Sequence, residues 1–94
     1  MSAAYRAARD VGVTMGHDDL LVYLARLPDG PVMVLEGVAA LIWVEATTHP
    51  AAGWVGRVAE AVREPEERIV GDVKAFVQDL RERDLVEPVP SPGT

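Results

Sequence analysis

No cysteine occurs in the 94 residues, and lysine and phenylalanine occur once each, as Lys74 and Phe76. Without cysteine there is no disulfide, no thiolate nucleophile and no cysteine-ligated zinc or iron–sulfur centre. Histidine is nearly absent too. His17 falls in the polar turn Gly16-His17-Asp18-Asp19 and His49 in a Pro-flanked loop, neither with a spaced partner, so both are read as exposed loop residues. The chain has no glycine-rich phosphate loop, no serine elbow and no HExxH pair. No catalytic activity, metal or cofactor is therefore expected. No stretch approaches a membrane span, and Met1–Asp10 lacks the apolar core of a signal peptide, so a cytoplasmic protein without membrane contact is expected.

Positive charge is scarce as well. Fifteen acids stand against nine bases, eight of them arginine, for a net charge of −6. Contacts to nucleic-acid phosphates need clustered positive charge, so no nucleic-acid partner is expected.

What the chain does have is apolar content, 49% of its residues, enough for one small domain with a single core. The organising stretch is Val32–Trp43. Val32–Leu35 reads as a short strand after the turn Pro28-Asp29-Gly30-Pro31, and Gly37 breaks the run before a helix carrying Val38, Leu41 and Ile42. Two strands precede it. Val11–Met15 alternates, and Leu20–Leu27 is apolar on both faces, as a central or doubly covered strand should be. The three form an antiparallel meander that needs helices over one face.

The first helix is expected over about Gly37–Ala46, ending before Thr47-Thr48-His49-Pro50. A second covers Ala52–Arg63, with Trp54, Val55, Val58, Ala59 and Val62 on one stripe. The third spans Pro65–Arg83, with Ile69, Val73, Phe76, Val77 and Leu80 inward and Pro65 at the first helical position. Its acids, among them Asp72 and Asp79, form a solvated face interrupted by Arg68, Lys74, Arg81 and Arg83. Trp43 and Trp54 are read as core or helix-contact residues rather than a binding pocket. Leu85-Val86 packs back or forms a last strand. Met1–Asp10 is expected as a flexible arm with no anchor, Val11–Glu87 as the folded domain, and Pro88–Thr94 as a disordered tail.

Three strands followed by three helices give an α+β, winged-helix-like fold. With Ala39-Ala40-Leu41-Ile42-Trp43, and with Asp72-Val73-x-x-Phe76-Val77-x-x-Leu80 ending in Leu85-Val86-Glu87, the chain resembles the PqqD family, also called RiPP recognition elements. Where such chains carry Gly before the terminal Leu, Asp84 stands here; Glu36 replaces their usual Asn. The resemblance implies a non-catalytic domain that binds the leader of a ribosomally made precursor peptide and presents it to a maturation enzyme. That enzyme is a radical-SAM enzyme, or a leader peptidase as in lasso-peptide pathways. It further implies that the leader adds as a strand on Val32, Met33, Val34 and Leu35, beside a groove wall of Asp72, Ala75, Phe76 and Asp79.

Two other readings use the same fold. A winged-helix DNA-binding regulator needs a basic recognition helix, yet Glu60–Glu87 holds nine acids and five bases. An oligomerisation module would pair the open strand edge with its own copy, and a homodimer of that kind is compatible with leader binding.

Overall fold

A computed structural model describes residues 3–16 and 21–89. The element order is β1 (Tyr5–Ala7), β2 (Val11–Met15), β3 (Leu21–Arg26), β4 (Val32–Glu36), α1 (Val38–Thr48), α2 (Trp54–Val62), α3 (Glu66–Glu82) and β5 (Val86–Pro88). The fold is α+β, a three-stranded antiparallel sheet followed by three helices. The sheet order is β2-β3-β4, so the strand that is apolar on both faces is central, as its sequence predicts. His17 and Leu20 lie outside the described residues.

The helix-facing side of the sheet carries Val22, Leu24 and Leu35, all buried, and Met33, half-buried. These pack with Trp43 of α1, Val58 of α2, and Val73 and Leu80 of α3 into one core. Tyr23, Val32 and Val34 stand on the opposite, open face.

Two local features place β4. Gly30 packs so closely on Arg26 that an added Cβ would sit 2.6 Å from the Arg26 carbonyl oxygen, so the β3–β4 turn requires glycine there. Gly37 has φ 58° and ψ −123°, a conformation open essentially to glycine, and this turns the chain from β4 into α1.

α1 runs two residues past the expected Ala46. Thr47 Oγ1 donates to the Trp43 carbonyl at 2.7 Å, and Thr48 Oγ1 donates to that of Val44, so both hydroxyls of the last turn bond back to carbonyls four residues earlier. His49 is extended, as a residue before proline must be, and exposed. α2 is shorter than expected because Gly53 and Arg63, both with left-handed backbone, bracket it. Pro65 sits one position outside α3, whose first residue is Glu66.

Arg57 holds the α1–α2 connection. Its Nε donates to Glu45 Oε1 at 2.6 Å, Nη1 to the Ala52 carbonyl at 2.8 Å, and Nη2 to the Pro50 carbonyl. Removing it leaves the mostly buried Glu45 carboxylate and two loop carbonyls unpaired. Arg57→Ala is therefore expected to cost about 1–3 kcal/mol in urea unfolding. Arg57→Lys should recover little, because an ammonium cannot reproduce a three-point fork.

The chain termini depart most from expectation. Instead of an unanchored arm over Met1–Asp10, Tyr5–Ala7 is a strand paired antiparallel with Val86–Pro88, Tyr5 opposite Pro88 and Ala7 opposite Val86. Arg6 Nε meets Glu87 Oε1 at 3.1 Å, and the Tyr5 ring stands edge-on to Trp54 with centroids 6.3 Å apart. The pairing extends to Val89, whose N–H donates to the Ala4 carbonyl at 3.0 Å, so the expected tail boundary at Pro88 falls inside this ladder. Residues 90–94 lie outside the described residues. Among the described residues no helix is long and apolar enough to cross a membrane.

Candidate peptide-binding edge

β4 ends the sheet, and its hydrogen-bond parity follows from its register. The Arg26 N–H donates to the Pro31 carbonyl, and bonded pairs recur at every second residue of an antiparallel ladder. The next bonded pairs are therefore Leu24 with Met33 and Val22 with Leu35. On the other side of β3, Gly16 N–H to the Leu21 carbonyl at 2.9 Å and Leu27 N–H to the Asp10 carbonyl at 2.7 Å show the complementary parity toward β2. The amides and carbonyls of Val32, Val34 and Glu36 consequently point away from the sheet, along an edge that has no strand beside it among the described residues. Such a row is a template for one more strand.

The four edge residues thus differ in what they offer. Val32 and Val34 present free backbone groups, and their side chains lie on the open face, 63% and 45% exposed. Met33 spends its backbone on β3 and turns its half-buried side chain toward the helices. Leu35 is 4% exposed, with its side chain in the core and its backbone paired to Val22. Glu36 ends the strand with outward backbone groups, and Gly37 takes the helix-capping position.

On the helix side of the edge lies a hollow of about 270 Å³, lined by Arg26, Pro31, Val32, Met33, Arg83 and Leu85. It joins the start of β4 to the C-terminal end of α3. Leu85 is buried there because α3 closes on Asp84, whose left-handed φ of 58° lets the Leu85 N–H reach the Leu80 carbonyl at 2.9 Å. Arg83 Nε meets Asp79 Oδ2 at 3.0 Å. From the opposite side, Arg26 Nη1 stands 3.5 Å from Asp84 Oδ2 and 3.3 Å from the Arg83 carbonyl.

Of the expected helix residues, Asp72, Ala75 and Asp79 are exposed, and Phe76 is half-buried against the core. Asp72, Phe76, Asp79 and Arg83 follow the three-and-four spacing of one helix stripe, whose Arg83 end reaches the hollow. Asp72, Ala75, Phe76 and Asp79 do not line it. Sequence reasoning missed Arg26, Arg83 and Leu85. The available signal was the parity of Arg26, which shares a strand face with Val22 and Leu24 where an apolar residue would be the rule.

The family model for coenzyme PQQ synthesis protein D (PqqD) matches residues 18–86, well over half of the chain. The chain belongs to the PqqD family. This is a family of RiPP recognition elements, non-catalytic domains whose role is to bind precursor peptides. Comparison with curated proteins and with solved structures gave no match. Within the PqqD-matched span lie the open edge of β4, the whole of α3 and the hollow between them.

Proposed function

We propose that this PqqD-family chain binds the leader segment of a ribosomally made precursor peptide as a fourth strand on β4 and presents it to a maturation enzyme. The observation that carries the reading is the outward row of backbone groups at Val32, Val34 and Glu36, flanked on its helix side by the hollow. Main-chain bonds to that row supply affinity tolerant of leader sequence. Every second leader side chain falls on the side of Met33 and meets the hollow or the Asp72–Asp79 flank of α3. Ordering a disordered leader offsets part of the gain, so affinity belongs in the nanomolar to micromolar range.

The enzyme served is a leader peptidase of the lasso-peptide kind, or else a radical-SAM enzyme. The departures from the PqqD pattern at Glu36 and Asp84 favour the former. The site would be cytoplasmic, where leader and enzyme are made.

The test is fluorescence anisotropy with a labelled synthetic leader from any precursor encoded beside this chain, run against a labelled DNA duplex. Saturable binding of the leader at or below about 10 µM, with no duplex binding in moderate salt, is the expected result. No leader binding at tenfold higher concentration would overturn the reading. Duplex binding alone would put the winged-helix regulator in its place.

A further inference from the structure

Asp84 runs against two local preferences. The residue that follows a helix with a left-handed backbone is usually glycine, yet Asp84 occupies that position with φ 58°. A carboxylate at a helix C-terminus also faces the negative end of the helix dipole. Local rules broken together point to a role elsewhere, and the partner Asp84 faces is Arg26, across the hollow. The other guanidinium of the hollow, Arg83, is matched in the same way by Asp79.

We propose that Asp84, through Arg26, sets the charge specificity of the hollow, so that it takes an uncharged apolar leader side chain and refuses an acidic one. The proposal rests on leader binding at β4. An added strand places one side chain beside Met33, over a floor of Met33 and Leu85. Without the two aspartates, a pair of guanidinium groups over that floor would attract a carboxylate. With both arginines paired, an entering carboxylate gains no net attraction and still loses its water. An entering ammonium fares no better. An apolar side chain loses nothing and covers the floor.

The experiment uses the full chain and the same synthetic leader, with each position replaced in turn by Leu, Glu and Lys, and compares wild type with Asp84→Asn. Asparagine tolerates the left-handed backbone, so the fold should persist, as a thermal melt will verify. In wild type one position should favour Leu over Glu by about tenfold or more. In Asp84→Asn the ratio at that position alone should fall by about two- to fivefold, since the pair is largely exposed, and by more at low salt. Arg26→Gln, which leaves Asp84 unmatched, should instead improve Lys at the same position. A Leu-to-Glu ratio unchanged by Asp84→Asn at every position would overturn the proposal while leaving leader binding intact. Wild type that binds no leader would overturn both.

Discussion

Val34→Pro is expected to weaken leader binding by about 100-fold while the domain stays folded, because proline removes one outward N–H and places its ring where the added strand would lie. The parity of β4 makes this clean. Val34 gives no hydrogen bond to β3, its side chain stands on the open face, and Met33 before it already has the extended backbone that proline demands. Met33→Pro is the contrasting variant. It removes a ladder bond to Leu24 and should destabilise the hairpin itself. Anisotropy reports binding, and circular dichroism with a thermal melt reports folding. Wild-type affinity in a folded Val34→Pro protein would exclude strand addition at β4. The leader would then have to use the hollow or the α3 flank without the edge.

The second large effect concerns Trp43. It is 2% exposed and packs at the centre of the core shared by the sheet and the three helices. Trp43→Ala deletes the largest buried ring and leaves a cavity that the surrounding helices can close only partly. The expected cost is about 3–5 kcal/mol. A domain of this size has about 5–15 kcal/mol in all, so the variant should lose a large share of its stability and melt well below wild type. Urea titration followed by far-ultraviolet circular dichroism measures this. A loss below about 1 kcal/mol would show that the core does not depend on that ring. Trp54 is the milder counterpart, half-buried with its ring against Tyr5.

Most of the element plan was legible because it rests on local periodicity. The amphipathic stripe of α3 reports its own burial, whereas β2 alternates in sequence but not in burial and β3, apolar on both faces, is covered on one face only. Helix ends were less legible, since Gly53 and Arg63 shortened α2 through backbone conformation, which residue type reports only weakly. β1 was illegible. Tyr5–Ala7 becomes a strand by pairing with Val86–Pro88 at the far end of the chain, and nothing near Tyr5 encodes that partner.

The candidate site divides along the same line. By itself the sequence determined the absence of cysteine chemistry, the acidic balance that disfavours nucleic acid, and an α+β order in which Val32–Leu35 follows a tight turn. Each is a property of composition or of neighbours along the chain. Only the tertiary structure decided that the free backbone groups belong to Val32, Val34 and Glu36 while Leu35 is given to the core, because parity depends on which strand lies alongside. It alone also set Arg26, from the end of β3, facing Asp84 and Arg83, from the end of α3, across one hollow. Residues so far apart in sequence meet only when the helices pack on the sheet, and that meeting is a consequence of the whole core rather than of any segment.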